Sequence, residues 1–403
     1  MHQLYFYKPI KPVAYRNNSI KVPEDIQCPH CRAPHHFIYF NNGSQKSQFK
    51  CKICSYTFTK DVIPKESKYY CPYCSYALFR WKELNQHTIY KCGNYECQCY
   101  SVNLKKLNKK ELVLYQNNPG HFSLHYIYRE YHFELKQIQH TKPNKPIVDL
   151  NKIHNSQHVL GLILTFLVSF SVSARKTVLI LRWVFNINVS YQTVLNYAHT
   201  ASYYCHNFNM KYKGEAEHIQ AADETYIKVK KKNKYIWFYM SAAKRNITSY
   251  HYSDTRDVLP AITSMHEALK TVDPKKPATI ITDGNPSYVA ALQYLNAQKS
   301  YDTKTQHHKV IGLQNLDSES EEYRAFKQLI ERLNRTYKGH IRQAYGFSSP
   351  NGAIALTTLF VTYYNFLRPH SSLNYQTPVT LDFLEGICTI QAKWIKILSM
   401  AYG

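Results

Sequence analysis

The chain has 403 residues, 44% hydrophobic and 19% charged, a globular composition that excludes a disordered chain and at this length implies two or more domains. Lys and Arg number 51 against 27 Asp and Glu, a net charge of +24 that points to a polyanionic partner. Residues 1–200 hold 26 of the basic and 10 of the acidic side chains, so a nucleic-acid-reading module is expected in the front half.

The opening residues, MHQLYFYKPIKPVAYRNN, contain no continuous apolar run. Nine of the eleven cysteines then fall between positions 28 and 99, and in an intracellular chain such clustering favours metal over disulfide. Cys28-Pro-His-Cys31 and Cys51-Lys-Ile-Cys54, with 19 residues between them, read as a zinc ribbon, its hairpin over His36–Ser44. Cys71-Pro-Tyr-Cys74 opens a second zinc unit. Cys92 and Cys97 complete it in the preferred reading; His87 with Cys92 is the alternative, set aside because His87 sits in a helix-like stretch. Cys99 is a spare under both. A unit of about 40 residues has too small a core to fold alone, so both Zn²⁺ ions are expected to be structural.

Asn117–Gly120 reads as a turn and Thr141–Pro146 as a linker. The most apolar stretch, Val159–Val172, is 14 residues long, where a bilayer span needs about 20, so it reads as a buried helix. A soluble, cytoplasmic protein with no membrane partner is expected. From His158 to about Tyr204 the pattern is helical: Ser173 caps a helix over Ala174–Phe185, residues 186–190 break it, and Ser190 caps a second helix that opens with Tyr191–Ala198. That layout is a helix-turn-helix, with Tyr191, Gln192 and Asn196 exposed towards DNA, although a helical hairpin inside a core has the same pattern. Cys205 and Cys388 stand alone and read as small core residues.

Beyond His218 the pattern changes. Strands are expected over 218–229, 235–243 and 247–252 with a turn at 230–234, then a helix over 258–272. A strand ends on Asp283, a helix spans 287–296, a strand 308–313 and a long helix 321–341. Three antiparallel strands followed by alternating helix and strand give a mixed five-stranded sheet with flanking helices. Asp223 lies within the first strand and Asp283 ends the fourth, while Glu331, Arg335 and Lys338 share a face of the long helix. Three converging carboxylates repel one another unless cations lie between them. Two Mg²⁺ or Mn²⁺ ions about 4 Å apart answer that, and would stabilise both oxygens of a phosphodiester exchange. Spacing alone leaves ordinary surface acids open. Glu224 is left out because it should face the other side of the sheet.

Four motifs carry a resemblance: Ala222-Asp-Glu-Thr-Tyr226, Ile281-Thr-Asp-Gly284, Gln328–Lys338, and Tyr364–His370 with Thr377-Pro378. Together they resemble DDE-type insertion-sequence transposases, whose core is similar to retroviral integrase and ribonuclease H and some of which carry zinc ribbons. The resemblance covers roughly residues 150–380. It implies metal-dependent cleavage at transposon ends and transfer of the freed 3′-hydroxyls into target DNA, with Asp223, Asp283 and Glu331 holding two Mg²⁺ or Mn²⁺ ions and with a homodimer or larger assembly joining the terminal inverted repeats. The family usually places its second and third acids about 35 residues apart, yet 47 residues separate Asp283 from Glu331 here. Glu319 fits that count better but sits in an acidic run, 317–322, that reads as a loop. Lys338 follows Glu331 by seven residues, as the family pattern requires, so Glu331 is taken. Arg335 and Lys338 are expected at a phosphate. Asn365, Arg368 and His370 suit a site rim or simple packing.

The expected organisation is a zinc ribbon (1–65), a second zinc unit and linker (66–150), a helical helix-turn-helix DNA-binding region (151–212), a ribonuclease H-like α/β core (213–348) and a C-terminal helical segment (349–403). A catalytically inert DNA-binding regulator is the alternative.

Overall fold

Alternation in short aromatic runs sets the first layer. Ile38–Phe40 (β1), Gln48–Cys51 (β2) and Thr57–Thr59 (β3) pair antiparallel, with Ile38 opposite Cys51 and Phe49 opposite Phe58, so one face gathers Ile38, Phe49, Cys51 and Phe58. A second small sheet follows the same logic: Leu78–Leu84 (β4), His87–Cys92 (β5) and, after helices Gln98–Lys105 (α1) and Lys109–Asn117 (α2), Ile127–Tyr131 (β6). Helix α2 begins with a reciprocal cap between Asn108 and Glu111. The fully buried residues of this second core among those described are Cys71, Leu78, Cys92 and Cys97. Three of the four are cysteines, too little apolar surface to hold a sheet.

The structure, a computed structural model, describes residues 11–15, 20–42, 48–59, 68–84, 87–119, 122–132, 140–297, 299–310 and 318–402. Residues 1–10, the expected hairpin tip at Gly43 and Ser44, the turn residue Gly120, the strand end at 311–313 and Asp317 lie outside them. The chain divides into two compact units, 1–132 and 133–403.

In the second unit, Gln157–Leu164 (α3) passes into a π-turn at Thr165–Ser169, then Ala174–Phe185 (α4) and Tyr191–Tyr212 (α5) follow. The apolar stretch is buried as expected except at its end, where Phe170 is 60% exposed. Ser173 and Ser190 cap their helices as the sequence indicates, and Asn186 turns the chain in the left-handed region. Helix α5 runs past the end of the helical pattern near Tyr204, to Tyr212, because Ala201, Cys205, Phe208 and Asn209 form a buried stripe.

The sheet that carries the acids comprises Ile219–Val229 (β7), Lys232–Ser241 (β8), Ile247–Ser253 (β9) and, after helix Val258–Leu269 (α6), Thr279–Thr282 (β10). Helix Pro286–Asn296 (α7) then leads to Gln306–Lys309 (β11). The order is β11-β10-β7-β8-β9, with β10 parallel to both neighbours and β7, β8 and β9 antiparallel: the mixed five-stranded sheet that the pattern indicates. The hairpin turn is tighter than expected, since only Lys230 and Lys231 lie between the strands, both at positive φ.

Helices Ser318–Ile341 (α8) and Pro350–Thr362 (α9) supply Ile330, Leu333, Tyr337 and Phe360 to a core with Ala221, Ile236, Phe238 and Met240. The other side of the sheet holds Trp237, which packs edge-on against Tyr288 of α7. Residues 318–322, expected to lie in a loop, are helical and open α8.

After a π-turn at Tyr363–Leu367, helix Ile390–Tyr402 (α10) returns to α3 and α5 and buries Trp394 and Ile397 in one cluster with them. At Gly161 an added Cβ would lie 2.8 Å from the Gln391 carbonyl, so glycine sets this close helix approach. Cys205 is buried, but Cys388 is exposed beside α10, contrary to its reading as a core residue.

Candidate functional site

The register of two parallel strands builds the acidic cluster. Ile281 of β10 lies opposite Ala221 of β7, so the residue just past β10, Asp283, arrives level with Asp223. Gly284 follows at φ +88°, and a Cβ there would strike the Lys309 side chain. Asp223, Glu224 and Asp283 each bring a carboxylate oxygen to within 4.8 Å of the other two.

Their partners come from opposite sides of the sheet. Lys327 Nζ lies 3.2 Å from Asp223 Oδ1, and Asn334 Nδ2 donates to Asp223 Oδ2 at 2.9 Å, both from α8. Glu224 is held from the other face, by the Tyr288 hydroxyl at 2.6 Å, by Asn285 Nδ2 at 3.2 Å and by Arg256. Arg256 also reaches Asp283 Oδ2 at 3.1 Å, and the Asn285 amide donates to Asp283 Oδ1 at 3.0 Å. Glu224 thus points away from α8, as alternation dictates, yet it still joins the cluster at the strand edge. Burial pushes Asp223 up to about 6, the Glu224 and Asp283 charges add to this, and Lys327 opposes it. Tyr288 is fully buried against Glu224, and burial holds its phenol well above the ordinary range.

Glu331 lies on α8 one turn beyond Lys327 and three residues before Asn334; it is exposed and outside the 4.8 Å cluster. Arg335 and Lys338 are exposed on the same helix, and Lys338 Nζ stands 4.2 Å above the Tyr226 ring on β7. Sequence reasoning did not single out Lys327, Asn334, Arg256 or Tyr288. The seven-residue interval from Lys327 to Asn334 was the available signal, since it puts both on one helix face.

The cysteines form two separate groups, Cys28-Cys31-Cys51-Cys54 and Cys71-Cys74-Cys92-Cys97, with each group's sulfurs within 4.8 Å of one another. The three CxxC turns share one backbone design. The amides of Arg32, Ser55 and Ser75, all at positive φ, donate to the carbonyls of Cys28, Cys51 and Cys71. Sulfur pairs lie at 3.5 Å (Cys28–Cys54 and Cys31–Cys51), 3.8 Å (Cys71–Cys97) and 3.6 Å (Cys74–Cys92). A disulfide requires about 2 Å. A tetrahedron with bonds of about 2.3 Å puts sulfurs about 3.8 Å apart, so both groups fit a zinc ion. His87 opens strand β5, packs on Tyr131 and lies outside the second group. Its stretch is a strand and not the helix expected. Cys99 lies on α1 and is also outside.

Tyr191, Gln192 and Asn196 lie in the first turns of α5, where Gln192 Nε2 donates to Asn196 Oδ1 at 2.8 Å and the Arg175 guanidinium stands 5.6 Å above the Tyr191 ring. They line a groove of about 660 Å³ together with Tyr345 and Asn351.

Residues 218–345 match the family model of a DDE domain, and residues 324–378 that of an integrase core domain. No curated protein matches the chain in sequence. Among solved structures, the HTLV-2 integrase catalytic core domain in complex with magnesium is 18% identical, with 41% of this chain and 95% of that one covered at a TM-score of 0.27. The intasome of simian T-cell lymphotropic virus in complex with PP2A regulatory subunit B56 gamma is 15% identical, covering 54% and 72% at a TM-score of 0.30. No helix among the described residues is long and apolar enough to cross a membrane. A DDE-matching segment, a mixed sheet that sets its acids side by side and a long helix packed over them coincide: residues 218–345 form a DDE domain built on a mixed five-stranded sheet, and 324–378 match an integrase core domain.

Proposed function

We propose that the protein is a DNA transposase that binds the ends of an insertion sequence, cuts there and joins the freed 3′-hydroxyl to target DNA. The observation that carries this reading is the meeting of Asp223 and Asp283 at one edge of a DDE domain, with Asp223 half-buried and held by α8. Hard carboxylate oxygens at that spacing suit Mg²⁺ or Mn²⁺. Asp223, Asp283 and, from α8, Glu331 would hold two such ions, which when bound supply Lewis-acid stabilisation of the attacking and leaving oxygens.

The chain's own groups do the rest. Arg335 and Lys338 offer cations to the phosphates from the exposed side of α8, and Tyr226 orients Lys338 by the contact of its ring. Asn285 and Arg256 fix the Asp283 carboxylate. Chemically, water breaks a P–O bond at the transposon end and leaves a 3′-hydroxyl; that hydroxyl then displaces a 3′-oxygen in target DNA, one ester exchanged for another. Two Zn²⁺ ions in the cysteine groups shape a basic front unit that reads the terminal inverted repeats, aided by Tyr191, Gln192 and Asn196 of a helix-turn-helix. Joining two ends requires a homodimer or larger assembly. Such a protein works in the cytoplasm of a prokaryotic cell, at the nucleoid.

The test uses the full chain, duplex DNA taken from both flanks of its gene, and Mg²⁺ or Mn²⁺. Metal-dependent nicking at a flank, lost in Asp223→Asn, Asp283→Asn and Glu331→Gln while DNA binding persists, is expected. Binding without cutting by the wild-type protein would overturn the reading and leave a regulator.

A further inference from the structure

Lys327 is an unusual residue for its place. It is only 7% exposed, on the face of α8 that packs against the sheet, and its ammonium is 3.2 Å from Asp223 Oδ1. A charged ammonium this deep in a protein has to be paired. The second oxygen of Asp223 is engaged as well, by Asn334 Nδ2 at 2.9 Å. On the far side of the cluster, Arg256 spans Glu224 and Asp283. Three carboxylates within 4.8 Å of one another are therefore balanced by two cations of the chain's own, one on either side.

An ammonium and a divalent ion on the same carboxylate oxygen repel one another, and a half-buried site screens that repulsion less than water does. We infer that Lys327 is a resident counter-ion that holds the place on Asp223 that a divalent cation takes, so that metal loading is an exchange in which Lys327 gives up Asp223. This rests on the metal-dependent reading above. Lys327 is a positioning residue here: it acts through Asp223, keeping the carboxylate ordered and un-repelled in the metal-free protein at the expense of metal affinity. Its helix also carries Glu331, Arg335 and Lys338, so the exchange links the loading of the acids to the helix that faces the DNA.

The test is Mn²⁺ binding to the full-length protein without DNA, with free Mn²⁺ counted by electron paramagnetic resonance. Lys327→Met and Lys327→Gln, each verified as folded by circular dichroism, should bind Mn²⁺ about tenfold more tightly than the wild type. Adding Asp223→Asn should abolish that gain. A purely structural role would leave the affinity unchanged or weaken it, and either result overturns the inference. Where neither variant folds, acetylation of wild-type lysines read by mass spectrometry decides: Lys327 should label faster with Mn²⁺ present, and an unchanged or slower rate overturns the exchange. The underlying reading fails separately, if wild-type Mn²⁺ binding is absent or survives Asp283→Asn.

Discussion

Asn365 and Ile247 exchange two hydrogen bonds: the Ile247 amide donates to Asn365 Oδ1 at 2.8 Å, and Asn365 Nδ2 donates to the Ile247 carbonyl at 2.9 Å. A side chain from the π-turn after α9 thereby acts as a missing strand partner for the start of β9. Asn365 is fully buried, so of its two readings from sequence the packing one describes its place. Asn365→Ala strands a buried amide and a buried carbonyl, each at about 1–3 kcal/mol. Urea unfolding followed by circular dichroism should show a loss of about 2–4 kcal/mol.

The two cysteine groups predict two zinc ions per chain by mass spectrometry of the purified protein. Cys51→Ser should remove one and Cys97→Ser the other. His87→Ala should keep both, because His87 stands outside the second group. Retention of two ions in Cys97→Ser with loss in His87→Ala would restore the alternative ligand set.

Three histidines meet where the segment 140–148 crosses the second unit. The His140 ring lies 5.6 Å from His206 and 5.5 Å from His251, and the amide of Thr141 donates to His251 Nδ1 at 3.2 Å. Burial pushes His206 and His251 down to about 3, with the His140 charge acting in the same direction, and burial lowers His140 too. His206 and His251 are neutral when folded but take a proton near pH 6.5 when unfolded, and His140 shifts in the same direction. The stability these two contribute is therefore complete above pH 6.5 and is lost as pH drops towards 3, by about 1.4 kcal/mol per pH unit for each of His206 and His251. Urea midpoints at pH 7, 6 and 5 measure it, and His251→Gln should make the slope shallower by one proton.

Lys338→Ala and Arg335→Ala should weaken DNA binding in proportion on specific and random duplexes. Each should also reduce the slope of log affinity against log salt by about 1, because each removes one phosphate contact. Fluorescence anisotropy across a salt series reads both effects. A change confined to one sequence would instead make the residue a base reader.

What the sequence disclosed follows from which signals are local. Asp223 and Asp283 stood out because strand alternation and an Asp-Gly turn are written within a few residues, and the CxxC turns are equally local. Lys327 on Asp223 and Arg256 across Glu224 and Asp283 join segments 27 to 104 positions apart, and no periodicity announces such a pairing. The last two turns of α5, beyond Tyr204, were missed because His and Asn weaken a helical pattern that burial against α9 and α10 then enforces: Asn209, for instance, is satisfied by Thr358 and Thr362. The acidic run before Glu331 misled because a run of like charges reads as a loop, whereas residues 318–322 open α8.

Helix α8 is clamped to the sheet by Ile330, Leu333 and Tyr337, and the Tyr337 hydroxyl lies 2.7 Å from Thr357 Oγ1. Residues added ahead of the helix leave that grip alone. One residue added between Lys327 and Tyr337 would swing everything beyond it by about 100° and carry Lys338 away from the Tyr226 ring. The chain can therefore gain length upstream of this clamp without loosening it, while between Lys327 and Tyr337 the residue count itself sets which side chains meet the sheet.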